Sequence, residues 1–214
     1  MKTTRTSRPN RRAPESVYVW FDLEFTSLDF DRAHLLQAAL VLTDADLRRI
    51  GDPAGDIHIA VRLPPRARIS PWVREILAPL VQSCRSASAL SVSELDALLA
   101  GRIDQQVGPP DPKIENRPLL AGNSIHADWA LARRLLPEFS RRLHYRHLDV
   151  TSFKLQWDHL RPGSEFEKEK PAEVLRWFPE AVLETGAGEH DAYYDTQASI
   201  AEMAFYRKRL LKTR

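Results

Sequence analysis

Val17-Tyr18-Val19-Trp20-Phe21-Asp22-Leu23-Glu24 is the stretch that organises the reading of this chain. β-Branched and aromatic residues fill its first five positions and favour a buried strand. Strand side chains repeat with period two, so Asp22 and Glu24 face one side at its end. Two like charges there repel and lose hydration, a cost that a hard divalent cation with oxygen ligands removes. A strand running out into solvent would also end in acids, and the pair alone does not separate the two readings.

Working outward, Leu35–Leu42 forms a second apolar segment, Thr43-Asp44-Ala45-Asp46 resembles a hairpin turn, and Ile57–Leu63 is a third strand candidate closed by Pro64-Pro65. Residues 70–83 and 91–107 read as helices, the second capped by Ser91 or Ser93. Gly108–Pro118, with four prolines, is a surface loop. Then come a short strand at Leu119–Gly122, a long helix from Ile125, a strand at Leu148–Val150, and helices at 152–159 and 170–177. Gly186-Ala187-Gly188 precedes a last helix from Ala192 to Leu211, whose buried stripe is Ile200, Met203, Ala204 and Leu211. Three consecutive strands followed by alternating strands and helices predict an α/β fold with a mixed sheet.

Composition bounds the class. The 214 residues, 43% hydrophobic and 28% charged, fit one globular domain with a real core. No stretch approaches the roughly 18 apolar residues of a membrane span, so no membrane role is expected. Cys84 is the only cysteine, which excludes an intrachain disulfide or a cysteine metal cluster and points to a reducing, cytoplasmic setting. The net charge of +2 is uneven: Lys2, Arg5, Arg8, Arg11 and Arg12 crowd the start, and acids outnumber bases in the rest. Residues 1–15 read as a disordered basic tail and 16–214 as the domain. The tail could hold a phosphate backbone, serve organellar import, or have no role.

Asp128 heads a helical stripe: Leu131, Ala132, Leu135, Leu136 and Phe139 follow it at three, four, seven, eight and eleven positions. An acid on the core-facing side is turned toward the protein. It is either a metal-linked or water-holding group, or compensates the dipole of its own helix. His190 and Asp195 are five helical steps apart, roughly 140° around a helix. They can share a site only if His190 lies in the glycine-rich loop and Asp195 in the first turns of the helix.

Four blocks occur in order: Asp22-Leu23-Glu24-Phe25-Thr26; Gly122-Asn123-Ser124-Ile125 with Asp128; His144-Tyr145-Arg146-His147-Leu148-Asp149-Val150-Thr151; and His190 with Asp195. Ser199-Ile200-Ala201-Glu202 and Tyr206-Arg207 continue the pattern. Together they resemble the oligoribonucleases, small DEDDh exonucleases with a ribonuclease H-like fold, a mixed β-sheet flanked by helices. The resemblance spans most of 17–210 but is poor over about 50–118. It implies a homodimeric, metal-dependent exonuclease that degrades short single-stranded RNA from the 3′ end, down to dinucleotides, to mononucleotides.

The resemblance also implies roles. Asp22, Glu24 and Asp195 would hold one Mg2+ or Mn2+, Asp22 would bridge to a second, and Asp128 would complete the site partly through water. His190 would take the proton of the attacking water. Leu28 would wedge between bases, Trp72 would face the substrate, and Ser124, Arg146, Thr151 and Ser152 would hold its 5′ phosphate, with Tyr145 beside them at a partner subunit. Arg146 is suited to a bidentate phosphate contact, although Tyr145 and Arg146 also fit an ordinary surface pair.

Departures accompany the match. The family has His five residues after its Trp, where this chain has Leu77, so one phosphate contact is expected to be missing and the dinucleotide preference weakened. Ser27 replaces a Gly, Gln37 replaces a Glu, and Asp191 directly follows His190, where it would act on the protonation of that ring. Action on longer RNA or single-stranded DNA is the near alternative. A non-catalytic nucleic-acid-binding protein is the distant one, opposed by five intact acid and base positions.

Overall fold

A computed structural model describes residues 16–184, 188 and 190–210. The basic tail of residues 1–15, Gly186 and Leu211 lie outside the described residues. The first strand, β1 (Tyr18–Phe25), pairs antiparallel with β2 (Leu35–Thr43), which pairs antiparallel with β3 (Ile57–Ala60). On its other side β1 pairs in parallel with β4 (Leu119–Gly122), and β4 with β5 (His147–Asp149). The sheet order is β3-β2-β1-β4-β5, the mixed sheet expected from the element order.

Period two in β1 divides the core. Val19, Phe21 and Leu23 face one layer, where α3 (Val92–Val107), α4 (His126–Leu135) and α5 (Pro137–Ser140) supply Leu95, Leu99, Leu131 and Phe139. Trp20 faces the other, against α6 (Val150–Leu160), α7 (Pro171–Trp177) and α8 (Ala192–Leu210). Asp22 and Glu24 continue the Trp20 side, towards α8. The ladder to β2 slips by one residue between Glu24 and Phe25, an irregularity at the second acid.

Two expected helices are broken, each at a proline. Residues 70–83 form α1 (Pro71–Ile76) and α2 (Ala78–Ser83), with Leu77 off helical geometry between them. Pro79 cannot donate to a carbonyl one turn back, so the first helix cannot run through it. Pro137 likewise stops α4 at Leu135 and starts α5, which carries Phe139 into the same core as Asp128's stripe. β3 ends at Ala60, short of Leu63. Around 84–90 the chain returns to the sheet through a Val61–Leu90 bridge. Ser91 caps α3 with a reciprocal Glu94 bond. Among the described residues no helix is long and apolar enough to cross a membrane.

Candidate active site

β4 ends at Ala121-Gly122, well before β1 ends, and the chain turns directly into α4. The backbone approach is close: a Cβ on Gly122 would lie 2.8 Å from the Phe21 carbonyl oxygen, so only glycine fits. Beyond β4 the Leu23 N–H has no strand partner on that side. Asp128 Oδ1 accepts it at 2.9 Å, a buried bond across 105 residues. Asp128 is 4% exposed, and Leu131, Ala132, Leu136 and Phe139 are buried behind it. The acid at the head of the stripe thus spans the helix and the strand between Asp22 and Glu24.

On the opposite side, α8 is buried nearly all round, and its first turn presents Asp195. His190 has φ +68 and its backbone N–H donates to Asp195 Oδ2 at 2.8 Å. That left-handed turn joins the two groups that a regular helix would separate, as the spacing required. The His190 ring lies edge-on to Trp72, with centroids 5.0 Å apart. Ligand atoms of Glu24, His190 and Asp195 come within 4.8 Å of one another.

A cleft of about 770 Å³ gathers Asp22, Glu24, Asp128, Asp195 and His190 with Leu28, Trp72 and Ser124. Leu28 is 82% exposed at the rim. Ser124 has φ +47, and its N–H donates to Asp149 Oδ1 at 3.0 Å and Thr151 Oγ1 at 2.8 Å. Thr151 also donates to Asn123 Oδ1, and the Asn123 amide donates to Glu202. Thr151 therefore braces the Asn123-Ser124 turn instead of lining the cleft.

Tyr145, Arg146 and Ser152 do not line the cleft within one chain. Tyr145 and Arg146 are exposed, with the guanidinium over the Tyr145 ring at 5.4 Å, and Ser152 is exposed on α6. Leu77 does not face the cleft either. It is 6% exposed and packs with Leu36, Leu63, Val73, Val81 and Cys84. Asp191 turns away from His190. It accepts from the Tyr193 and Tyr194 N–H groups and pairs with His58 Nε2 at 3.1 Å and with Gln37.

Lys168, absent from the sequence reading, also lines the cleft, its Nζ 3.4 Å from Asp195 Oδ1. It sits in Glu165-Phe166-Glu167-Lys168-Glu169-Lys170, where sequence alone gives no reason to separate it from Lys170. Asn123 and Ser199 also line it, and both lie inside blocks already singled out.

The electrostatics follow from crowding. Burial first, then the Asp195 charge, pushes Asp22 up to about 8, against the pull of Lys168. Burial, then the Asp22 charge, pushes Glu24 up to about 9. Burial and the Asp22 charge hold Asp128 well above the usual carboxylate range, opposed by the Leu23 N–H. Burial raises Asp195, opposed by Lys168 and the His190 N–H. Four oxygen donors that resist ionisation without a cation fit a divalent-ion site. The donor set, carboxylates with one imidazole at the edge, suits Mg2+ or Mn2+.

A family model described as exonuclease matches residues 19–203. The oligoribonuclease of Corynebacterium efficiens is 30% identical over 207 residues, covering 94% of this chain and 81% of that protein. The mitochondrial oligoribonuclease of Bos taurus is 27% identical over 200 residues, covering 91% and 73%. Among solved structures, a zinc-bound E. coli ExoI–ssDNA complex superposes with a TM-score of 0.66 at 15% identity, over 92% of this chain and 42% of that one. Exonuclease I of Methylocaldum szegediense gives 0.64 at 20%, over 92% and 41%. This chain spans about two-fifths of those structures, and at such identity they show the ribonuclease H-like fold alone. Exonucleases of this family generally use divalent metal ions. With the family model covering most of its length, the chain belongs to the exonuclease family, in its oligoribonuclease group.

Proposed function

We propose that this exonuclease is a metal-dependent 3′-to-5′ exoribonuclease that degrades short RNA oligonucleotides, down to dinucleotides, to mononucleotides. The observation that carries the reading is the convergence of Asp22, Glu24, Asp128, Asp195 and His190 on one cleft. The names of the relatives support the RNA substrate and its shortness.

Asp22, Glu24 and Asp195 would hold one Mg2+ or Mn2+, with Asp22 shared with a second and Asp128 completing the set. When bound, such ions activate water and neutralise charge on the phosphate. The chain's own groups do the rest. His190, presented by its left-handed turn and set against Trp72, takes the proton of the attacking water at its imidazole. Leu28 at the rim offers an apolar wedge for a base, and Trp72 a flat face for stacking. Ser124, fixed by Asp149 and Thr151, holds a phosphate oxygen through its hydroxyl. Tyr145, Arg146 and Ser152 lie off this cleft, so for them to bind the 5′ phosphate a second copy must help form the pocket. The reading therefore includes a homodimer.

The test is a series of 5′-labelled RNAs of two to ten nucleotides, with Mg2+, Mn2+ or chelator, and Asp22→Ala as control. Metal-dependent release of mononucleotides, fastest on the shortest RNAs, is the expected result. Metal-independent cleavage, or equal rates from two to ten nucleotides, would refute the mechanism or the length specificity respectively.

A further inference from the structure

Among the described residues, Lys168 is the one lysine or arginine in a cleft that carries four carboxylates. Three contacts build its position. Trp157 Nε1 donates to the Ser164 carbonyl at 2.7 Å, Phe166 is 5% exposed in the core, and the Tyr194 hydroxyl donates to the Lys168 carbonyl at 2.7 Å. Tyr194 adjoins Asp195, so one turn of α8 fixes both the lysine's backbone and the carboxylate its ammonium meets. Lys170, two residues on, pairs with Glu167 at the surface.

The two oxygens of Asp195 are divided. Oδ2 accepts the His190 N–H at 2.8 Å, and Oδ1 faces Lys168 Nζ at 3.4 Å. Oδ1 is thus the oxygen left for a divalent ion, and the ammonium already uses it. An ammonium and a divalent cation cannot share one carboxylate oxygen without strong repulsion. The Lys168 side chain is 39% exposed and four methylenes long, so it can swing while its backbone stays pinned.

We propose that Lys168 is a positioning residue that changes partner. It holds Asp195 Oδ1 in the metal-free protein, yields it to the incoming ion, and then faces the anionic phosphate of the substrate or product. This rests on the proposed metal-site reading.

The experiment titrates full-length protein with Mn2+ by calorimetry, then titrates a nucleoside 5′-monophosphate at saturating Mn2+. Lys168→Met and Lys168→Gln should bind Mn2+ about tenfold more tightly, because a neighbouring cation is gone. They should bind the monophosphate at least about tenfold more weakly, from a lost charged hydrogen bond. Lys168→Arg, which keeps the charge, should stay near wild type in both. Opposite signs in the two titrations separate this role from a structural one, which would weaken both. Unchanged or weaker Mn2+ binding, or unchanged monophosphate binding, overturns the proposal. Asp22→Ala serves as the separate control: if it binds Mn2+ as wild type does, the metal-site reading itself fails.

Discussion

Asp22→Asn keeps the shape of a crowded side chain and removes its charge. In the metal-free protein Asp22 is pushed from 3.8 to about 8 by burial and by Asp195. A tenfold change in proton affinity is worth about 1.4 kcal/mol, so complete ionisation costs the fold on the order of 6 kcal/mol. The side chain still reaches the solvent of the cleft, which reduces the effective figure to about 2–3 kcal/mol. The sign follows from the folded state's higher affinity for the proton. The stability this group contributes is full below pH ~4 and is lost as pH rises through about 8. Glu24, pushed to about 9, extends the loss upward. Asn cannot ionise, so the variant should gain on wild type from pH 5 to about pH 8 in chelator and level off above it, by about 2–3 kcal/mol at the end. Urea unfolding at pH 5, 7 and 9 measures this. Added Mg2+ should stabilise wild type and leave the variant almost unmoved, with RNA cleavage lost. A gap that stays constant with pH, or a variant less stable than wild type at pH 9, would refute the reasoning.

Other substitutions test separate parts of the site. His190→Ala should lower turnover by about 10²–10⁴-fold with Mg2+ affinity nearly unchanged, since the ring is assigned to proton transfer; a collapse of affinity in calorimetry would make it a ligand. Gly122→Ala should destabilise by about 1–3 kcal/mol and reduce activity, because its Cβ meets the Phe21 carbonyl at 2.8 Å and must displace the Asn123-Ser124 turn. Denaturant midpoints and initial rates would register both effects, and an unperturbed variant would contradict the close approach. Leu77→His should cost about 2–4 kcal/mol by placing an imidazole among Leu36, Leu63 and Val81, and should leave the preference for RNA length unchanged. A shift toward dinucleotides would show that the side chain reaches the cleft after all.

Local periodicity made much of this legible. The alternation in β1 put Asp22 and Glu24 on one side, the stripe behind Asp128 gave its facing, and the serine pair Ser91 and Ser93 marked the start of α3, where Ser91 is the cap. Pro79 and Pro137 were present to be read as breaks, but apolar spacing continues across both. It does so because the pieces pack on the same core after the chain has turned. Leu77 and Asp191 were misplaced for another reason. A side chain's direction at a helix junction depends on what fills the space behind it, here Cys84 and Val81 in one case, His58 and Gln37 in the other. Lys168 was invisible because a charge run has the same composition whichever member points inward; only Phe166 and Tyr194 choose it.

The four carboxylates are held in two different ways. Asp22 and Glu24 are fixed by a strand in the middle of the sheet, so their separation is set by the pleat. Asp128 and Asp195 come from helices on opposite sides of the sheet, where a small shift of either helix would move them relative to β1. Each is tied by one oxygen to a backbone N–H, Asp128 to Leu23 and Asp195 to His190, which turns the second oxygen to the cleft, where that of Asp195 meets Lys168. A backbone donor fixes orientation without adding a mobile charge and partly offsets the desolvation that raises the proton affinity of these groups. The metal-free cluster is therefore already oriented but electrostatically unsatisfied. Binding a divalent ion can then relieve repulsion without having to order the ligands, and this is the condition under which a preorganised site binds most tightly.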